Sequence, residues 1–254
     1  MKKTEFIYFR GPGFQVPLQD ELKIGREKIK QVDGVKFLGV WVDEGLKWTP
    51  HISRVKTKVG QLLGVIGRAA PVLQGRGLLS LYNGIVLPHL QYCLMVWGDF
   101  RGGRNMTIGD ALLRYQKRFA GLIAGKRGLY HATPLFGKHG ILKIEDIYRQ
   151  QLRIHGWRFL NGRLPDSQAD MLGRVSNVHS HATRSATHDL YSGGRDHNSI
   201  SYRVPKEWSG LTKGLKEQRS LTAFKRQSKT EFLTGYKAFS CGVTGCRVCG
   251  GNPG

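Results

Sequence analysis

Between Glu44 and Asp99 the chain carries no carboxylate, and within that stretch its apolar residues fall at helical spacing. Ile52, Val55, Val59, Leu62, Leu63 and Ile66 recur every three or four positions, which puts them on one face and leaves Arg54, Lys58 and Gln61 on another. Thr49 is an N-cap candidate and Pro50 suits the first helical position. A second helix is predicted from Leu78 to Leu87, with Pro88 as its break. The ionised groups available to this stretch are Lys47, Arg54, Lys56, Lys58, Arg68 and Arg76, all positive. One-signed charge on helices reads in two ways, as a solvated basic face or as the footprint of a contact to backbone phosphates.

The bias extends to the whole chain. Against 40 Lys and Arg stand 18 Asp and Glu, a formal net charge of +22 over 254 residues. Such a surplus repels itself in a compact state unless an anionic partner relieves it, and a phosphate backbone does so by releasing counterions. Hydrophobic content of 40% and aromatic content of 10% suffice for packed cores, which excludes a disordered basic tail. The apolar run Phe6 to Phe9 stops at Arg10, too short for a signal peptide, and Ile85 to Trp97 is interrupted by Pro88, His89 and Gln91. The expectation is an intracellular protein, nuclear or cytoplasmic, that meets RNA and DNA and no membrane.

The remaining pattern predicts an α+β fold, mostly α, with small N-terminal antiparallel strands followed by helices. Glu5 to Arg10 reads as a strand ended by Gly11-Pro12-Gly13; Leu22–Gly25 and Lys28–Val32 read as a hairpin about a Gly-Arg turn. Val35 to Val42 reads as a third strand, ended by Asp43-Glu44-Gly45. A helix from about Thr107 to Ala124 turns Ile108, Leu112, Phe119 and Ile123 inward and Arg114, Lys117 and Arg118 outward. Another from Ile144 to Leu160 carries Ile147, Tyr148, Leu152, His155 and Phe159 on its apolar side. From Arg101 to Pro165 there are 13 Lys and Arg and three acids, Asp110, Glu145 and Asp146. Gly173 to Asn198 reads as a loop or linker, Ser199 to Val204 as a short strand, and Ser220 to Tyr236 as a basic helix. Gly60, Gly64 and Gly67 read as packing glycines within the first helix.

Cys241, Cys246 and Cys249 form a C-x4-C-x2-C run separated by glycines. Zinc needs four ligands, so a zinc site here requires a distant histidine or Cys93 as the fourth; free thiols are the other reading. His179-Ser180-His181 has no neighbouring ligand residue and reads as a solvent-facing pair.

An ordered set of motifs carries a resemblance along nearly the whole chain. It comprises Lys3-Thr4-Glu5-Phe6-Ile7-Tyr8-Phe9; Lys36-Phe37-Leu38-Gly39-Val40; Asp43, Leu46, Trp48, His51 and Ile52; Leu81-Tyr82 with Val86, Pro88, Leu90 and Tyr92; and Val96-Trp97-Gly98. Leu113 to Gly125, Thr183-Arg184, Ser199 to Tyr202, Trp208 and Ser220-Leu221-Phe224-Lys225 complete it. In this order they resemble the C-terminal part of reverse transcriptases of non-LTR (LINE-type, jockey-like) retrotransposons. The resemblance implies a palm remnant over residues 1–45 with a primer-grip hairpin, and a helical thumb over 46–100. A helical basic domain over 101–172, the linker over 173–198 and a basic C-terminal segment over 199–254 follow.

It further implies that Lys36, Phe37, Leu38 and Gly39 hold the primer strand, and that Arg54, Lys58 and Gln61, with Arg114, Lys117 and Arg118, track the template-primer duplex. Read as residues alone, Phe37 or Leu38 is equally the core of a buried strand, while Trp48, Tyr82, Tyr92 and Trp97 read as core. Lys3 falls where the family offers a general acid to the leaving pyrophosphate; a solvated terminal lysine is the alternative. The parent reaction is RNA-directed deoxynucleotidyl transfer with two Mg2+ ions held by paired carboxylates. Here the chain departs from the family, because it contains no Asp-Asp pair. Its adjacent acids, Asp20-Glu21, Asp43-Glu44 and Glu145-Asp146, read as surface or capping residues. The expectation is a chain that lacks the catalytic half of the palm, with Met1 an internal methionine of the longer frame; alternatively it is a stand-alone nucleic-acid-binding remnant.

Overall fold

Amphipathic periodicity builds most of the structure. The computed structural model describes residues 4–9, 11, 22–98, 106–175, 189–191 and 199–241. It is an α+β fold, mostly helical, in two compact units of residues 1–62 and 63–254.

The first unit carries short strand pairs. β1 (Glu5–Phe6) runs parallel to β4 (Lys30–Gln31), and β2 (Lys23–Ile24) pairs antiparallel with β3 (Glu27–Lys28). The Gly25-Arg26 turn between them sets Gly25 at φ +61°, which glycine adopts without strain. Where one strand was expected from Val35 to Val42, the chain makes a hairpin: β5 (Gly34–Phe37) pairs antiparallel with β6 (Val40–Asp43). Leu38 and Gly39 form the turn at φ 45° and 88°, both left-handed, as a two-residue connection between right-twisted strands demands. Asp43 then accepts the backbone N–H groups of Lys47 at 2.9 Å and Trp48 at 2.7 Å, fixing the entry to α1 (Thr49–Ala69). That is the capping work expected of this acid. Ile52, Val55, Val59 and Ile66 are buried, whereas Leu62 and Leu63 are half-buried. Gly64 and Gly67 are not packing glycines: a Cβ on Gly67 would meet nothing within 4 Å, and one on Gly64 only the end of Arg68.

The second unit begins with α2 (Gly75–Leu81), a π-helical turn (Tyr82–Val86), α3 (Leu87–Gln91) and α4 (Leu94–Trp97). Pro88 does not end the helix as expected. It lies in the first turn of α3, and the widened turn before it absorbs the bond that its missing N–H cannot make. Cys93 is not helical either; it joins α3 to α4 at φ 49° and is half-buried. Then follow α5 (Met106–Ile123), α6 (Ala132–His139), α7 (Ile144–Leu160), α8 (Asp166–Ala169), β7 (Gly173–Arg174), β8 (Leu190–Tyr191), α9 (Ile200–Ser209), α10 (Lys213–Lys216) and α11 (Leu221–Lys237).

β7 and β8 pair antiparallel inside the stretch expected to be a linker. The expected strand over Ser199–Val204 is the first half of α9. Its alternation mimics a strand, yet Val204 and Trp208, four residues apart, are buried with α9 packed against α7. Contact there is close: a Cβ on Gly156 would come within 2.8 Å of Trp208 Cε3. Trp208 stacks on Phe224 of α11, with ring centroids 5.8 Å apart. Among the described residues, no helix is long and apolar enough to cross a membrane.

Candidate nucleic-acid interface

The hairpin residues are the first test of the expected site. In β-register Lys36 opposes Trp41 and Phe37 opposes Val40, and directly opposed residues share a face. Val40 is buried, but Phe37 is 63% exposed and Leu38 75% exposed, so neither is the core residue that a buried strand would need. Leu38 is also strained. A γ-branched residue at φ 45° lies where Asn or Gly is the usual occupant. Backbone strain together with an exposed apolar side chain is a combination that packing does not reward.

The cations gather beside it. The Arg54 guanidinium lies 4.0 Å from the centroid of the Trp41 ring, and exposed Lys36 opposes Trp41 across the hairpin. The Trp41 backbone N–H donates to Nδ1 of buried His51 at 3.4 Å, tying β6 to α1. The structure thus brings Lys36 and Arg54 to one indole, while Lys58 and Gln61 remain exposed further along α1.

In the second unit, α5 buries Leu112, Phe119 and Ile123 and exposes Arg114, Lys117 and Arg118, as the periodicity predicts. No acid occurs between Asp110 and Glu145, so these cations have no carboxylate partner on their own helix after Asp110. The loop behind α5 adds exposed Lys126 and Arg127, which the sequence reading passed over; the acid-free run from 111 to 144 was the signal for them. Tyr82 and Trp97 are core, Trp48 is half-buried at φ 60°, and Tyr92 is 51% exposed, against expectation.

Asp146 accepts a short hydrogen bond from the Tyr236 hydroxyl, and burial with the Asp146 and Asp110 charges pushes Glu145 above its ordinary value. Among the described residues no group of three His, Cys, Asp or Glu converges. Lys3, Cys246, Cys249, Asp20-Glu21 and His179-His181 lie outside the described residues; Cys241 is half-buried.

Burial lowers His51, His139 and His155 from the usual imidazole value of 6.5, with the Lys138 and Arg158 charges adding to it for the last two. A histidine depressed on folding stabilises the protein above its unfolded pKa, and the contribution is lost as pH falls through the folded value. The denaturation midpoint is therefore expected to be level above about pH 7 and to fall progressively below about 6.5. Urea titrations across that range check it, and a midpoint that rises on acidification refutes it.

No family model, curated protein or solved structure matches this chain.

Proposed function

We propose that the chain is the C-terminal part of an RNA-directed DNA polymerase of the non-LTR retrotransposon type, and that it holds template-primer nucleic acid. The observation that carries this reading is the tip of the β5–β6 hairpin. There Leu38 is held left-handed and exposed beside exposed Phe37, with Lys36 and Arg54 gathered at Trp41. An apolar, strained tip flanked by cations fits a strand of nucleic acid lying against it, with phosphates on the cations and sugars and bases on the apolar tip. The exposed cations of α5 extend the same chemistry in the second unit.

Nucleotidyl transfer is assigned to carboxylates outside this chain. Among the described residues no three His, Cys, Asp or Glu converge on one point, and Asp43 is engaged with backbone N–H groups and Asp146 with Tyr236. The chain by itself is thus expected to bind and not to polymerise. The alternative, a stand-alone binding remnant, makes the same contacts. An open frame upstream of Met1 that encodes paired aspartates selects the polymerase reading, and stop codons there select the remnant.

Binding is tested by anisotropy with a labelled RNA–DNA heteroduplex. Affinity is expected to fall steeply with salt, since each neutralised phosphate releases counterions. Replacing Arg114, Lys117 and Arg118 together by Gln is expected to lower affinity about tenfold and to flatten the salt slope by about two to three. The same three replacements leave stability nearly unchanged, because all three side chains are solvent-facing. Salt-independent or undetectable binding by the unaltered chain at low ionic strength overturns the proposal.

A further inference from the structure

A groove of about 390 Å³ opens where α3, α4, α7 and α11 meet. Its apolar surface comes from Met95 of α4 and Ile147 and Ile154 of α7. Arg158 and Lys225, both exposed, supply two positive charges, and among the described residues no carboxylate lines it. That volume is too large for a bare inorganic anion and lies within the range of small-ligand sites. Two cations with an apolar floor call for an anion that carries a flat apolar body.

Two side-chain amides sharpen the choice. Gln150 Nε2 donates to the Lys225 carbonyl at 3.1 Å, and Gln151 Nε2 donates to the Gln91 carbonyl at 2.9 Å. Both amides are thereby oriented by their nitrogen ends, which leaves the two Oε1 atoms as acceptors on residues lining the groove. Preset acceptors select a ligand edge that donates hydrogen bonds. His155 also lines the groove; burial lowers its proton affinity, so near neutral pH it adds no third charge.

We infer that this groove binds one nucleotide unit whose base carries an exocyclic amine, with the base over Met95 and Ile154, its amine on the Gln150 and Gln151 oxygens, and its phosphate on Arg158 and Lys225. Adenine and cytosine present such an amine and uracil does not. The inference rests on the nucleic-acid reading and extends it from duplex to an unpaired base. The same chemistry comes either as a free nucleotide or as one unit of a single strand.

The test uses the full chain and labelled single strands of about twelve nucleotides, oligo(A), oligo(C) and oligo(U), beside the heteroduplex. Oligo(A) and oligo(C) are expected to bind about five- to tenfold more tightly than oligo(U). Arg158→Gln with Lys225→Gln, both at exposed positions, is expected to weaken oligo(A) about tenfold and to leave the heteroduplex within about twofold. Competition by free AMP identifies a free nucleotide as a ligand, and lack of competition assigns the groove to strands. Equal affinity for the three strands, or an unchanged oligo(A) affinity in the double variant while heteroduplex still binds, overturns the inference alone. Loss of all binding by the unaltered chain overturns the nucleic-acid reading with it.

Discussion

Arg153→Ala is expected to lower the unfolding free energy of the helical unit by about 3–5 kcal/mol. The Arg153 guanidinium is almost fully buried in α7. It donates to Glu207 of α9 at 2.8 Å, to Glu231 of α11 at 3.0 Å and to Ser228 at 3.3 Å, and it lies 4.2 Å from the centroid of the Phe232 ring. One side chain thus joins three helices. Its removal leaves Glu207 with Arg149, at 3.0 Å, and Glu231 with the Thr212 hydroxyl, at 3.3 Å, and takes from Ser228 its buried donor. The loss is a penalty for stranded charge more than a measure of what the pair contributes. Arg153→Met, which keeps the stem over Phe232, is expected to recover only part of it, and adding Glu207→Gln to Arg153→Met to recover more. Chemical denaturation of the four chains checks the order; an Arg153→Ala cost below about 1 kcal/mol would show that the network contributes little.

Gln116→Leu is expected to cost about 3–6 kcal/mol although it conserves volume closely. Gln116 is fully buried on α5, and its amide makes three bonds. Nε2 donates to the Tyr82 hydroxyl at 2.9 Å and to the Leu142 carbonyl at 3.0 Å, while Oε1 accepts the Ile144 N–H at 2.7 Å. The last bond satisfies a first-turn donor of α7, whose N-cap residue Lys143 makes no side-chain cap bond. Tyr236 of α11 meets the Lys143 N–H at 3.1 Å, so the start of α7 is capped by two other helices. Leucine leaves three buried polar groups unpaired, each worth about 1–3 kcal/mol. Burial pushes the Tyr82 hydroxyl up to about 12, so it stays a neutral group in need of a partner. Adding Tyr82→Phe to Gln116→Leu is expected to restore about 1 kcal/mol, and a double variant less stable than the single would contradict this account.

Neither effect was legible in the sequence. Gln116 sits one residue from Lys117 in a helix whose charged residues face water, and periodicity alone cannot say that an amide will be taken inside. Arg153 looks like one more cation among 13 from Arg101 to Pro165, until α9 and α11 bring Glu207 and Glu231 to it. The same holds for the groove. Gln150 and Gln151 are adjacent in sequence, but Lys225 is about seventy-five positions away and Gln91 sixty, so their meeting depends on helix packing.

What the sequence determined by itself was local. The spans of α5, α7 and α11, the outward face of Arg114, Lys117 and Arg118, and the mostly helical class all follow from a 3.6-residue repeat, which the chain satisfies within each segment. The net charge of +22 likewise needs no fold to state. Tertiary structure decided what depends on distant partners. It turned Ser199–Val204 into helix because Val204 and Trp208 had α7 to bury against, and carried the helix past Pro88 through a widened turn. It also split Val35–Val42 at Leu38-Gly39 and put Phe37 and Leu38 in solvent. Strand residues read alike whether their face is covered or open, because the covering element lies elsewhere in the chain. Helical periodicity is a property of neighbours; burial is a property of the whole fold.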